Sequence, residues 1–276
     1  MGIKTFTTIV ATITPKNINN YCADYSRIYG AASQFCLSLR LAEGGLSKSG
    51  LNTELQHKFG INKRQANSVI ADVEGKISSA KECRKRHIKT IEGQLKSVNK
   101  FLNTWQKRVK DYKKAKKAKK FKQSYIKDAC AIRYNPCHMT ELQVLKQRIH
   151  QKKRRKYVLQ QKLEYLKNAS LEVNLGAVGS QFTFVGSKGE KSGNQICQMD
   201  ENGNLKIRVP RCLESKYGSY ITIPEVAFRY GQQHIDAALT IGQALTYRFY
   251  YKGFSWYCAI STDVPEVPTQ SKFGSG

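Results

Sequence analysis

The chain has 276 residues, with 47 Lys plus Arg against 20 Asp plus Glu, a formal net charge of +27. That excess goes far beyond what solubility requires and concentrates polyanions at the surface, with RNA, DNA and anionic membranes as the candidates. No run approaches the roughly 18 apolar residues of a spanning helix. The opening residues lack a signal-peptide layout. The eight cysteines (Cys22, Cys36, Cys83, Cys130, Cys137, Cys197, Cys212 and Cys258) form no Cys-x-x-Cys pair, which argues against zinc-ribbon and redox motifs. They read as reduced, partly buried small hydrophobes of a cytosolic protein.

The alternation from Ile3 to Ile13 predicts an opening strand, with Ile3, Thr5, Thr7, Ile9, Ala11 and Ile13 on one face. Thr14-Pro15 ends it and suits the first turn of a helix. In that helix Ile18, Tyr21, Cys22, Tyr25, Ile28, Tyr29, Ala32, Phe35, Cys36 and Leu39 recur at helical spacing until Gly44-Gly45. A short helix over Leu51 to Lys58 follows, ended by Gly60. Asn62 then caps a long helix whose apolar residues, from Ala66 through Ile91, Leu95, Val98 and Leu102 to Val109, keep their spacing to Lys110. Such a helix is about 70 Å long, and Gly75 and Gly93 weaken it internally.

Asp111 to Met139 reads as a connector containing Lys113, Lys114, Lys116, Lys117, Lys119 and Lys120. Thr140-Glu141-Leu142-Gln143 is a capping box for a second long helix, with Leu142, Leu145, Ile149, Leu159, Leu163 and Leu166 on one stripe. Together the two long helices predict a basic helical hairpin: Lys81 to Lys167 holds 28 Lys plus Arg against 6 Asp plus Glu. The remainder is β-rich. Phe182–Val185, Gln195–Met199, Leu205–Val209, Tyr220–Tyr230, Tyr247–Tyr251 and Phe254–Ser261 are strand candidates, with turns at Asp200–Gly203 and Lys252-Gly253. Pro224 argues for an edge or bulge, and Val264–Pro268 is an extended linker. The opening strand joins this sheet, and the helices are inserted between.

Three features bear on chemistry. Lys152-Lys153-Arg154-Arg155-Lys156 interrupts the apolar stripe of the second long helix. Five consecutive cations cover every face of a helix, so some point toward the partner helix or a ligand. The Lys113 to Lys122 stretch is open to three readings: a polyanion-binding loop, a solvated helix face or a localisation-like tract. Val185 to Asn194, with Lys188 and Lys191, is a Gly- and Ser-rich loop that could wrap phosphate with its N–H groups or simply connect strands. It lacks the spacing of a Walker A loop. Asp200, Asn202 and Asn204 mimic the start of an EF-hand, but Arg211 stands at the twelfth position, which excludes calcium there. Cys137-His138 offers two metal ligands without partners. Phe249, Phe254 and Trp256 read as core rather than base-stacking platforms. No nucleophile–base constellation stands out, and no complete catalytic centre is legible.

Three stretches carry a family resemblance: Lys4-Thr5-Phe6-Thr7-Thr8 with the Tyr-rich helix after it; Val185-Gly186-Ser187-Lys188 through Gly193-Asn194-Gln195; and Tyr247-Arg248-Phe249 leading to Ser261 through Pro268. With these the chain resembles the N-terminal half of a TnpB-type protein, a transposon-encoded RNA-guided nuclease related to type V CRISPR effectors. The resemblance implies an α+β architecture. A wedge-type β-barrel is built from the first strand (residues 1–15) and residues 171–263. An inserted helical recognition lobe covers 16–170, and a linker, 264–276, leads toward a RuvC-like nuclease domain. It implies guide RNA and target DNA as partners and no membrane. It implies no cofactor in this chain, with Mg for the nuclease domain, whose carboxylates would lie beyond Gly276. Asp263 and Glu266 belong to the linker and receive no catalytic role.

In this reading Lys152 to Lys156 contact phosphate, and the lysines from Lys113 to Lys120 are second-choice backbone contacts. Arg84, Lys85, Arg86 and Lys89 contact the heteroduplex from the first long helix, and Lys188 and Lys191 contact the guide scaffold. Two other readings remain open at this point: a nuclease-lacking RNA-guided binder, such as a repressor or transposition target selector, and a general RNA-binding protein.

Overall fold

The computed structural model describes residues 2–10, 16–42, 45–117, 141–187 and 193–264. It is an α+β protein with antiparallel sheets, and it divides into two compact units, Met1–Ile77 with Val173–Gly276, and Ser78–Glu172. The limits expected from the sequence, at residues 16 and 170, differ from these because the first helices pack into the sheets.

In the first unit, strand β1 (Gly2–Ile9) pairs antiparallel with β7 (Ser255–Val264), which pairs with β6 (Thr246–Lys252), which pairs with β2 (Gln181–Phe184). A second sheet holds β3 (Cys197–Met199), β4 (Leu205–Arg208) and β5 (Tyr220–Ile223) in that order. Among the described residues these sheets stay separate, and they do not form the closed barrel that the resemblance implied. One physical reason lies at Pro224. It has no N–H for a ladder, so the strand expected to reach Tyr230 stops at Ile223. The chain then continues as a loop and a helix, α6 (Gln232–Ile241), rather than as a strand joining the sheets.

The face of β1 that turns inward is the opposite of the one expected. Ile3 and Ile9 are exposed, while Val10 is buried and Phe6 and Thr8 are half-buried. Phe6 stacks on His234 of α6 at 5.6 Å, and the Thr8 hydroxyl donates to the Ala227 carbonyl. These contacts fix which face is covered.

Helix α1 (Lys16–Leu41) fills the space over the first sheet. Tyr21, Cys22, Tyr25, Tyr29, Ala32 and Cys36 are buried at three- and four-residue spacing. The Tyr25 ring meets Phe182 at 5.0 Å and Phe184 at 5.5 Å, and Phe182 stacks on Phe249 at 4.8 Å. Cys22, Cys36, Cys197 and Cys258 are buried free thiols, and Cys83 and Cys212 are exposed. Burial pushes the Cys22 thiol up to about 12, so it stays protonated as a small hydrophobe.

Helix α2 (Lys48–Phe59) starts where the Ser47 hydroxyl accepts the Gly50 N–H and ends at Gly60, whose φ of 61° is left-handed. Helix α3 (Lys63–Lys117) opens with a reciprocal capping box: Gln65 N–H donates to the Asn62 side chain, and Asn62 N–H donates to the Gln65 side chain. It runs unbroken through Gly75 and Gly93. It also extends past Lys110 to Lys117, taking in what the sequence presented as connector. Lysine and alanine are good helix formers, and cations suit a helix C-terminus. Helix α4 (Glu141–Asn168) follows; the expected cap at Thr140 lies outside the described residues. Helix α5 (Glu214–Tyr217) and α6 were not legible beforehand. No helix of the described residues is long and apolar enough to cross a membrane.

Two stability predictions follow from this packing. A Cβ on Gly75 or Gly93 would meet nothing within 4 Å. Gly75→Ala and Gly93→Ala should each raise stability by about 0.5–1 kcal/mol in denaturant titrations; a loss would mean the helix is interrupted there. The Asp24 carboxylate accepts hydrogen bonds from Lys216 Nζ and the Tyr217 hydroxyl, each at 2.7 Å. These bonds, Lys216 first, hold it below the usual carboxylate range. A carboxylate depressed in the folded state stabilises above its unfolded pKa of about 4 and loses that effect as pH falls through its folded value. Asp24→Asn should therefore cost about 1 kcal/mol or less at pH 7, because the site is largely solvated. Its deficit should close as pH drops below about 4 in acid-denaturation curves.

Candidate nucleic-acid interface

The second unit is an antiparallel hairpin of the C-terminal part of α3 and α4. Its contacts run in opposite directions along the two helices. Arg84 meets residues 169 and 170, Glu92 meets Lys167 at 3.5 Å, and Phe101 lies under Lys152. The apolar seam is built from Val98, Leu102 and Leu159, with Ile91, Leu95 and Ile149 packed against them.

The cationic cluster of α4 divides across this seam. Leu142, Leu145, Ile149, Lys152, Lys156, Leu159, Leu163 and Leu166 follow one alternating three- and four-residue spacing. Lys152 and Lys156 therefore occupy seam positions and are half-buried, whereas Lys153, Arg154 and Arg155 are exposed. A lysine can bury its stem there and keep its ammonium at the edge. Lys152 Nζ stands 5.2 Å from the centre of the Phe101 ring, a cation–π contact. Of the five consecutive cations, three face outward to solvent and two belong to the helix–helix contact.

The candidates on α3 divide in the same way. The Arg84 guanidinium donates to the carbonyl oxygens of Ala169, at 2.9 Å, and Ser170, so it holds the chain just past the end of α4. Lys85 pairs with Glu82 at 2.7 Å on the surface. Arg86 and Lys89 are exposed, with no ion pair among the described residues. Lys113 and Lys114 are exposed on the last turns of α3; Lys116 and Lys117 lie in the same helix. Lys119, Lys120, Lys188, Lys191, Cys137 and His138 lie outside the described residues.

Sequence reading passed over other members of this surface. Lys96, Lys100, Lys107 and Lys110 are exposed on α3. Tyr157 and Tyr165 of α4 are 64% and 62% exposed. Their signal was their offset from the leucine stripe, which places them away from the seam.

In the first unit, the stem of the 185–194 loop is fixed tightly. Asn194 is buried, and its amide nitrogen donates to the carbonyls of Phe184 (3.1 Å) and Leu245 (3.0 Å). Its side-chain oxygen accepts the N–H groups of Ile196 and Cys197. One side chain thus ties β2, β3 and the approach to β6. Gly193, at φ 68°, leaves no room for a Cβ against the Gln243 carbonyl. Among the described residues no group of three or more His, Cys, Asp or Glu could hold a metal. Asp263 sits on β7 opposite Ile3.

No family model matches the chain, and neither a curated protein nor a solved structure does.

The division of the cluster gives a direct test. Replacing Lys153, Arg154 and Arg155 with Gln should weaken duplex binding and reduce the log K against log salt slope by about 2–3. Replacing Lys152 and Lys156 with Leu should leave that slope nearly unchanged and stabilise the hairpin by on the order of 1 kcal/mol per site. The reverse pattern in the two variants would refute the assignment.

Proposed function

We propose that this protein binds nucleic acid through its phosphate backbone, along the outer faces of the α3–α4 hairpin. The observation that carries this reading is the set of exposed cations Lys153, Arg154, Arg155, Arg86 and Lys89 on two helices with few balancing carboxylates. Cations on rigid helices follow a phosphate backbone without reading sequence, and they suit a duplex held by shape rather than by base edges.

The finer form of the proposal draws on the resemblance to TnpB-type proteins. In it the two sheets of the first unit act as a wedge-type domain and the hairpin as part of a recognition lobe. The chain is then the guide-RNA- and target-DNA-binding part of an RNA-guided DNA endonuclease, a ribonucleoprotein of the cytosol or nucleoid. Cleavage belongs to a Mg-dependent RuvC-like domain and not to the residues described here.

The test is to purify the native protein from cells transcribing its flanking locus and to sequence the RNA that accompanies it. The proposal expects one dominant RNA ending in a variable, guide-like segment. A smear of cellular RNA released by moderate salt would leave a general polyanion-binding protein. The absence of any bound nucleic acid at low salt would overturn the reading altogether.

A further inference from the structure

The first sheet has an outer face that no described element covers at its centre. Strand pairing sets its composition. Ile9, Tyr257, Tyr250 and Gln181 form one cross-strand row, and Thr7, Ala259, Arg248 and Thr183 form the next. On β6, Arg248, Tyr250 and Lys252 share this face at two-residue spacing, about 7 Å apart. The rings of Tyr250 and Tyr257, on the two central strands, stack at 5.3 Å with their planes within 9°. Both are half-buried, so they stand on the sheet with aromatic surface still open. Arg248 lies 6.0 Å from the Tyr250 ring centre and is steadied by the neutral Gln181 side chain. Beside the aromatic pair, the small hydroxyl residues Thr5, Thr7 and Ser261 leave a depression of about 540 Å³ that also reaches Lys252.

The aromatics that sequence reading weighed occupy other places. Phe249 and Trp256 are buried in the core, and Phe254 is 93% exposed at the hairpin turn, which corrects its assignment to the core. The aromatic residues of the outer face are Tyr250 and Tyr257.

We propose that this face binds an unpaired nucleic-acid strand, with one or two bases stacking on Tyr250 and Tyr257 and the adjoining phosphates meeting Arg248 and Lys252. Three features select this occupant. Neither cation has a carboxylate ion pair among the described residues, and the face's own carboxylate, Asp263, lies at the far end of β7. An aromatic pair on the central strands of a four-stranded antiparallel sheet offers a flat platform to base faces. A duplex keeps its base faces inside the stack and cannot use that platform. The inference rests on the chain binding nucleic acid, and it adds a second surface with a different substrate class from the hairpin's.

The test uses a short RNA strand carrying 2-aminopurine, the DNA strand of the same sequence, and the corresponding duplex. Binding should quench the 2-aminopurine in the unpaired strands. Tyr250→Leu with Tyr257→Leu should abolish the quenching and weaken single-strand binding about ten-fold or more, while duplex affinity stays unchanged. Arg248→Gln, an exposed change that leaves the core intact, should keep the quenching and reduce the single-strand salt slope by about 0.7. The RNA and DNA arms identify which strand the face prefers. Unchanged quenching in the double Tyr variant, or unchanged affinity and slope in Arg248→Gln, would overturn the inference even if duplex binding by the hairpin holds. Failure of the unaltered protein to bind either duplex or single strand would overturn the hairpin reading together with this one.

Discussion

The hairpin depends on a narrow apolar seam holding together two helices that carry charge of the same sign. Val98, Leu102 and Leu159, with their half-buried neighbours, supply the attraction between surfaces that would otherwise repel. Contacts at one end reinforce it: Arg84 holds the carbonyls of Ala169 and Ser170 just past α4, and Lys167 pairs with Glu92. The seam also decides which cations are free. Lys152 and Lys156 are drawn into it, and this rotates Lys153, Arg154 and Arg155 outward. The exposed cationic face is thus a consequence of how the helices pack, and within five positions lysine both joins the seam and faces solvent.

The first unit is organised by different means. Its core is aromatic, with Tyr25, Phe182, Phe184 and Phe249 in mutual ring contact. Its two sheets are coupled by the four hydrogen bonds of one buried side chain, Asn194. Such a fully satisfied polar group inside a low-dielectric core fixes geometry strongly, because any displacement leaves buried donors and acceptors without partners. The stem of the 185–194 loop is therefore held in place.

Much of this was legible in the sequence, for identifiable reasons. Asn62 announced the start of α3, and the long helical spacing announced the hairpin. The strands after residue 180 appeared where the alternation placed them, except that the one expected over Tyr220–Tyr230 stops at Ile223 before Pro224. What stayed hidden involved tertiary choices. The alternation in β1 offers two faces of similar polarity, so Ile3 and Ile9 suggested the wrong one; Phe6 prevailed through its stacking on His234 of α6. Helix α6 is short and opens at Gly231, which reads as a breaker. The seam lysines looked like an interruption of the leucine stripe because charge masks position. The stacking of Tyr250 on Tyr257 depends on hairpin register: a turn at Lys252-Gly253 would pair Tyr251 with Phe254, whereas the turn at Gly253-Phe254 pairs Lys252 with Ser255 and so Tyr250 with Tyr257.

The central claim is that the outward cations of the hairpin hold nucleic acid. Lysine-reactive footprinting of the intact protein, with and without saturating RNA duplex, tests it most directly. The account predicts that Lys89, Lys113 and Lys153 become protected, while Lys156 in the seam and Lys216, paired with Asp24 in the other unit, keep their reactivity. Protection spread evenly over the chain, or absent from Lys89 and Lys153, would contradict it.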